Sequence, residues 1–265
     1  MTRRLQGFLQ REKYFAQVLP LTHQSAGNCW SRFAGPIQKG QKVKHVSWQE
    51  IPDEARAARQ WRGAGLLCGL VAPVLWAAVI ILAGDLRPGF DHVSQYISEL
   101  GERGSPTGML MRFGGFVASG LLIVGYAAAF YATMARLGDR PRLTLPVAVL
   151  IAVDGLGRIG AGVFSCEPGC AAPEVLSQRL HSLSATCAFL ALAAAALLGT
   201  LLFRRDTRLR PLGAYSLASG CAGLIFLVLM SASEATHAYT GLYERLASGV
   251  LTLWVFVTAW SLRMR

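Results

Sequence analysis

The chain has 265 residues, of which 53% are hydrophobic and only 15% are charged. A typical soluble domain is about one quarter charged, so this composition excludes a disordered chain and disfavours an ordinary soluble enzyme. The formal net charge of +11 would suggest a nucleic-acid-binding surface. However, 11 of the 26 Lys and Arg residues lie in residues 1–62, ahead of a long apolar body. We therefore expect no nucleic-acid partner.

The first 62 residues form a basic, polar tail. Residues 1–50 show no periodicity and lack the apolar segment of a signal peptide, so we expect a largely flexible cytoplasmic extension. Segment 52–62 predicts a short helix, because Pro52 suits the first helical position and Asp53 and Glu54 suit the first turn. Its arginines favour a position at the membrane surface, facing anionic lipid.

The remaining chain, 63–262, contains six apolar stretches long enough to cross a bilayer, which takes roughly 20 residues each. They are residues 63–84, 108–133, 143–164, 180–203, 211–231 and 243–262. Six helices of a soluble protein would need more polar surface than these offer, and a membrane β-barrel would need strict alternation. The predicted fold class is all-α, a polytopic bundle of six transmembrane helices whose partner is the lipid bilayer.

The basic residues of the short loops predict the orientation of the bundle. The loops after spans two and four and the C-terminus carry Arg136, Arg140, Arg142, Arg204, Arg205, Arg208, Arg210, Arg263 and Arg265. The loops of the other side, 85–107, 165–179 and 232–242, hold only Arg87, Arg103 and Arg179. Basic loops stay in the cytoplasm, so we expect both termini there (N-in/C-in) in a multi-pass inner-membrane protein.

Two cysteines stand out because of their spacing. Cys166 and Cys170 lie in the segment SCEPGC, in a loop predicted to be extracytoplasmic, where disulfides persist. The pair Pro168-Gly169 between them favours a tight turn closed by a disulfide. Free thiols and metal binding are the alternatives.

A G-x-G-x-x-G pattern begins at Gly155 but lies in the middle of a span, with no strand before it. Nucleotide binding is therefore not expected. Together with Gly65 and Gly69 in the first span, these small residues predict close helix packing. Such faces also permit a homo-oligomer.

Ionisable side chains inside a span are costly and indicate function by default. Asp154 lies near the middle of span three, and Arg158 follows four residues later on the same helix face, where the two can pair. One interpretation is a structural ion pair that stabilises the bundle. The other is a polar site inside the bundle.

More polar side chains gather at the predicted outer ends of the spans than at the inner ends. This asymmetry predicts an outward-facing polar pocket capped by the loop 85–107. Its candidate ligand-binding residues are Glu99, Asp154, Arg158, His181, His237, Glu244 and Arg245. The expected ligand is amphipathic, such as a lipid headgroup, and Arg158 and Arg245 are suited to hold a phosphate or carboxylate.

Three other functions stay open. His181, His237 and Asp154 offer ligands for zinc in a membrane hydrolase. The chain has no H-E-x-x-H and no tight ligand spacing, so we expect no metal, no cofactor and, on balance, no enzyme. Asp154 would also suit a proton-coupled or small-solute transporter, although the two halves show no internal repeat. A structural or sensory membrane protein requires neither feature.

Two segments carry a resemblance to a known family. Both segments resemble the family called domain of unknown function 998. The first is GFDHVSQYISELGERGSPTGMLMRFGGF, and the second is DGLGRIGAGVFSCEPGC followed by QRLHSLSA. The resemblance covers about residues 63–262 and implies a prokaryotic six-span membrane protein without assigned activity. Its motifs include Ser98, Glu99, Cys166, Cys170 and His181. The I-S-E-L-G loop is also similar, by analogy only, to one in the eukaryotic Frag1/DRAM/Sfk1 membrane proteins, some of which are tied to lipid handling.

Overall fold

A computed structural model describes residues 53–137, 141–204, 206–236 and 238–265. The predicted flexible tail lies outside these ranges, as does His237. The described chain contains six long helices and no strands. They are α1 (Asp53–Leu86), α2 (Leu110–Arg136), α3 (Pro141–Val163), α4 (Leu176–Phe203), α5 (Arg210–Ser233) and α6 (Thr240–Arg263). All six are long and apolar enough to cross a membrane, which confirms the predicted fold class and its lipid environment.

The helices form a closed bundle. Each packs against the next along the chain, and α6 returns to pack against α1. We call one end of the bundle the capped end, where the connections α1–α2, α3–α4 and α5–α6 lie. The opposite end, with the start of α1 and the chain's C-terminus, is the tail end. The buried Asp, Glu, Arg and His side chains described in the helices, Asp154, Arg158, His181 and Glu244, lie in the half toward the capped end.

The first helix differs from the sequence prediction. The predicted short helix over 52–62 is not separate, because Asp53–Leu86 is one continuous helix of 34 residues. No proline or turn residue separates Arg62 from the first span, and nothing crowds Gly63. At 1.5 Å per residue the helix is about 51 Å long, more than the roughly 30 Å of a bilayer's hydrocarbon core. Its first turns therefore extend past the apolar layer.

Glycines on α3 bring this helix close to both of its neighbours. A Cβ atom at Gly155 would lie 2.7 Å from the backbone oxygen of Gly120 on α2. One at Gly157 would lie 2.6 Å from the backbone oxygen of Ser184 on α4. The G-x-G-x-x-G segment is therefore a packing seam, as the sequence predicts.

Helix α5 is packed tightly only in its first two thirds. Its buried residues are Leu212, Gly213, Ser216, Ser219, Gly220 and Gly223. Gly220 packs against Leu197 of α4, whereas Ile225 and Val228 beyond it are 57% and 68% exposed. Helix α5 therefore leaves the bundle as it approaches the capped end, and space opens between it and α4.

Residues 87–109, which we call the cap, fold over the capped end. Within them Ile97–Gly101 forms a 3-10 helix. Ile97 and Leu100 are almost fully buried in an apolar cluster that includes Trp76 of α1. The I-S-E-L-G motif thus anchors the cap by its two aliphatic side chains, which flank the polar residues Ser98 and Glu99.

Polar contacts fasten the cap to two other parts of the chain. One carboxylate oxygen of Glu102 accepts a 2.7 Å hydrogen bond from the backbone N–H of Gly169, and the other lies 2.7 Å from Arg87 Nη2 within the cap. Arg245 of α6 donates to the backbone oxygen of Gln95 at 2.8 Å. The cap is therefore held to the α3–α4 connection and to α6.

Helix α2 begins with a π-helical segment, Leu110–Val117, which contains two adjacent glycines. This segment carries Arg112, whose guanidinium donates to the backbone oxygens of Gly162 (2.9 Å) and Val163 (2.8 Å) at the end of α3. A cation at a helix C-terminus satisfies carbonyls that have no partner within the helix. Arg112 is thus occupied in capping α3.

Candidate ligand-binding site

A cavity of about 410 Å³ lies at the capped end, among α4, α5, α6 and the cap. Its polar wall consists of Tyr96, Ser98, Gln178, His181, Ser182, Ser231, Glu234 and Glu244, and its apolar wall includes Phe189, Leu190, Leu227 and Met230. The volume falls in the range of small-molecule sites, roughly 300–1,000 Å³. The cavity therefore offers one polar and one apolar surface to the same occupant.

A smaller recess of about 30 Å³ lies next to this cavity, toward the middle of the bundle. Ser98, His181 and Glu244 line both spaces, whereas Asp154 and Arg158 line only the recess. The structure therefore brings Asp154, Arg158, His181 and Glu244 together around two adjacent spaces.

Asp154 and Arg158 pair with each other along α3. Arg158 Nε lies 3.1 Å from Asp154 Oδ1 and 3.3 Å from Oδ2, and the residues are only 5% and 1% exposed. The guanidinium carbon of Arg158 also lies 4.8 Å from the centre of the Trp76 ring, a cation–π contact. Arg158 Nη1 has no hydrogen-bond partner in the described part of the chain. The two charges thus neutralise each other, and one guanidinium nitrogen stays unpaired.

Trp76 is a site residue that the sequence analysis does not identify. Its Nε1–H donates to Ser248 Oγ of α6 at 2.8 Å, and its ring packs edge-on against Phe116 at 4.9 Å. Trp76 is thus fixed between α2 and α6 while its face supports Arg158. A tryptophan inside an apolar span carries no sequence signal that separates this role from ordinary core packing.

His181, at the capped end of α4, has a defined orientation. Its Nδ1 lies 2.8 Å from the backbone oxygen of Ala161 and 2.9 Å from that of Phe164. Both partners are acceptors, so we assign the hydrogen to Nδ1, and in the neutral ring Nε2 is then an acceptor. The residue is 5% exposed and lines both the cavity and the recess. Because Nδ1 is committed to α3, the acceptor edge faces these spaces.

Glu244 joins the cavity wall to the cap. Its Oε2 accepts a 2.6 Å hydrogen bond from the backbone N–H of Ile97, at the start of the 3-10 helix. The side chain is buried and lines both the cavity and the recess. Glu244 therefore positions the cap directly over the site.

Tyr96 and Glu234 form the mouth of the cavity. Burial, assisted by the Glu234 carboxylate that accepts its hydrogen bond, raises the pKa of the Tyr96 phenol well above its usual value. The phenol is therefore protonated at neutral pH and remains a donor. Glu234 is exposed at the end of α5, beside the opening between α4 and α5.

Glu99 and Arg245 line neither the cavity nor the recess, unlike the other described pocket candidates. The carboxylate of Glu99 accepts hydrogen bonds from the backbone N–H of Tyr96 (2.9 Å) and from Gln95 Nε2 (2.7 Å). Arg245 donates to the backbone oxygens of Gln95 and Gly241, both at 2.8 Å. These two side chains therefore hold the cap in shape, whereas His237 lies outside the described residues.

Cys166 and Cys170 form a disulfide in the α3–α4 connection, beside the cap. Cys166 Sγ lies 3.4 Å from the backbone oxygen of Ser98, and Cys170 Sγ lies 3.4 Å from the Ser98 hydroxyl. Cys170 also lines the cavity. The disulfide therefore borders the site directly.

The described residues assemble no metal centre. Among residues 53–137, 141–204, 206–236 and 238–265, no group of three or more His, Cys, Asp and Glu side chains is placed to hold a metal ion. His181 and Asp154 line the same recess, but the third suggested ligand, His237, is not among them. Nothing in this part of the chain favours zinc-dependent hydrolysis.

Comparison with known families gives one match. Residues 70–261 match the model of the family described as "Protein of unknown function (DUF998)". The match spans most of the chain and all six membrane helices, so the chain belongs to this family. Comparisons with curated proteins and with solved structures find no match.

Proposed function

We propose that this DUF998 protein binds an amphipathic molecule at its capped end. The polar head lies in the 410 Å³ cavity, and the apolar chain leaves between α4 and α5 toward the bilayer. The observation that carries this proposal is the two-sided wall of the cavity. Hydroxyl, carboxylate and imidazole groups line one part, while Phe189, Leu190, Leu227 and Met230 line another.

The divergence of α4 and α5 supports a route from the bilayer into the cavity. Ser182, Thr186 and Leu190 face the cavity from α4 and are also exposed at the surface of the bundle. On α5 no residue beyond Gly223 is buried. An apolar chain in this gap stays in contact with lipid while its head reaches polar groups that the bilayer core cannot offer. A water-soluble ligand would not require such an opening.

We also propose that the tail end faces the cytoplasm. The described tail-end arginines at the loops and C-terminus are Arg136, Arg142, Arg204, Arg208, Arg210, Arg263 and Arg265. Those of the capped end are fewer, and two of them are paired, Arg87 with Glu102 and Arg103 with Glu167 at 3.1 Å. The excess of basic residues at the tail end favours a plasma-membrane protein with both termini in the cytoplasm.

Reporter fusions test the orientation. We expect alkaline phosphatase fused after Arg265 to be inactive and green fluorescent protein fused there to be fluorescent, because the first requires export and the second folds in the cytoplasm. Fusions in the α5–α6 connection are the matched controls, and we expect the reverse result. An active phosphatase at the C-terminus would contradict the proposed orientation.

Filling the cavity tests the proposed binding. We expect wild-type protein purified in a mild neutral detergent to retain an amphiphile. Ala185 lines the cavity and the recess, so Ala185→Trp is expected to abolish this retention. Native mass spectrometry measures this retention. Leu183→Trp is the matched control, because Leu183 lies on the same helix, is exposed and does not line the cavity. We expect this control to retain the amphiphile.

A second variant keeps the test valid if Ala185→Trp does not fold. Thr186→Trp places the same ring at the exposed mouth of the cavity, where it disturbs little packing. Thermal unfolding of all three variants verifies that each is folded. Equal retention of the amphiphile by wild type, Ala185→Trp and Thr186→Trp would contradict the proposal.

A further inference from the structure

The cavity wall contains acidic side chains but no Lys or Arg among the described residues. Its lining residues include two carboxylates, Glu234 and Glu244, and no Lys or Arg within the described chain. The Tyr96 phenol is protonated and adds no charge. An occupant of the cavity therefore meets acidic side chains and no Lys or Arg among the described residues, although the whole chain has a formal net charge of +11.

Neither of the nearest arginines, Arg158 and Arg245, lines the cavity itself. Arg158 is paired with Asp154 and lines only the recess, whose 30 Å³ hold roughly one or two water-sized groups. Arg245 is turned to the cap, where it donates to the Gln95 backbone oxygen, and it also donates to the Gly241 backbone oxygen of its own helix. A phosphate or carboxylate head in the cavity would thus lack the two arginine partners that the sequence analysis assigns to it.

His181 supplies an independent indication of the same polarity. The residue is 5% exposed, and its Nδ1–H is shared by the backbone oxygens of Ala161 in α3 and of Phe164 just after it. With Nδ1 as the donor, Nε2 is an acceptor, and His181 lines the cavity. A ligand that donates a hydrogen bond pairs this acceptor in place of water. The ligand atom beside His181 is therefore a donor.

We propose that the head of the bound amphiphile is an ammonium group, recognised by Glu234, Glu244 and the Nε2 atom of His181. The inference rests on the proposed function and adds the chemical class of its ligand. An ammonium supplies both the missing counter-charge for the carboxylates and N–H donors for the imidazole. Charge-assisted hydrogen bonds of this kind are the strong ones, so they decide which head is preferred.

Three probes with the same chain separate the head from the tail. Dodecylammonium, dodecyl phosphate and the uncharged 1-O-dodecylglycerol are each titrated into full-length protein in dodecyl maltoside at pH 7, and bound probe is counted by native mass spectrometry. We expect dodecylammonium to bind at least about 10-fold more tightly than dodecyl phosphate. The positive net charge of the chain acts against this order, so non-specific attraction does not produce it.

Charge-removing variants of the same size test the assigned carboxylates. Glu244→Gln keeps an oxygen to accept the Ile97 N–H, and Glu234 is exposed, so both substitutions leave the fold in place. The double variant is expected to lose the preference for dodecylammonium. Glu174→Gln is the matched control, because Glu174 is an exposed carboxylate at the same end that lines neither the cavity nor the recess, and it should keep the preference.

The outcomes distinguish this inference from the proposed function. Saturable binding that is tighter for dodecyl phosphate, or equally tight for all three probes, overturns the ammonium assignment. Either result still supports the proposed binding of an amphiphile. Binding of none of the three probes overturns the proposed function itself. A preference for dodecylammonium that survives in the Glu234→Gln, Glu244→Gln double variant also overturns the assignment to these residues.

Discussion

Replacing Asp154 by leucine is expected to lower the free energy of unfolding by about 3–5 kcal/mol. The substitution leaves the Arg158 guanidinium charged and buried, with only the Trp76 ring and no carboxylate beside it. Removing one partner of a buried pair is costly because the other charge stays out of water without compensation. The unfolding equilibrium in mixed detergent micelles, followed by tryptophan fluorescence, measures this change.

A double variant separates charge from packing at the same place. Asp154→Leu combined with Arg158→Met replaces the pair by apolar groups and is expected to recover most of the lost stability, because such replacements are often neutral. If Asp154→Leu alone is as stable as wild type, the pair is not buried as the structure describes. If the double variant is no better than the single one, the loss comes from packing instead.

Gly157→Val is expected to destabilise the bundle by about 1–3 kcal/mol, and to separate α3 from α4. A Cβ at this position meets the Ser184 backbone oxygen at 2.6 Å and the Ala188 Cβ at 2.9 Å, so a branched side chain does not fit without moving a helix. Because α4 carries His181, we also expect weaker ligand retention. Thermal unfolding measures the loss of stability, and native mass spectrometry measures ligand retention.

The matched control for this prediction is Gly249→Ala on α6. Nothing lies within 4 Å of a Cβ atom built there, so the change adds a methyl group without a clash. Alanine also favours a helix over glycine by roughly 0.5–1 kcal/mol. We expect unchanged or slightly higher stability. If Gly157→Val behaves like this control, α3 and α4 are not in close contact.

The sequence identifies the ionisable residues buried in the spans better than the residues that contact and position them. Asp154 and His181 stand out because ionisable groups are rare within apolar spans, and the four-residue spacing of Asp154 and Arg158 predicts their pairing. Trp76 supports Arg158 through a contact between different helices. No spacing along the chain encodes that contact, so sequence analysis does not find it.

Glu244 and Arg245 illustrate a second limit. The two are adjacent, and sequence analysis assigns both to the pocket. On a helix they point about 100° apart, and only Glu244 lines the cavity, while Arg245 is turned to the cap. The absolute rotation of a helix depends on its neighbours, and an almost uniformly apolar span carries little amphipathic pattern to reveal it.

The opening between α4 and α5 has a signal that the sequence analysis does not use. Gly213, Gly220 and Gly223 all lie in the first two thirds of α5, and each packs closely against another part of the bundle. Toward the capped end large aliphatic side chains replace them. Close approach at one end of a helix and bulk at the other favour a helix that leans away from the bundle.

The central claim, that an amphiphile lies between α4 and α5 with its head in the cavity, is tested most directly by photo-cross-linking. A diazirine on the chain of dodecylammonium, activated in protein reconstituted into lipid nanodiscs, labels the residues nearest the chain. We predict labels concentrated on Phe189, Leu190, Leu227 and Met230, and their loss in Ala185→Trp. Labels spread evenly over lipid-facing residues such as Ile81 and Leu253 would contradict it.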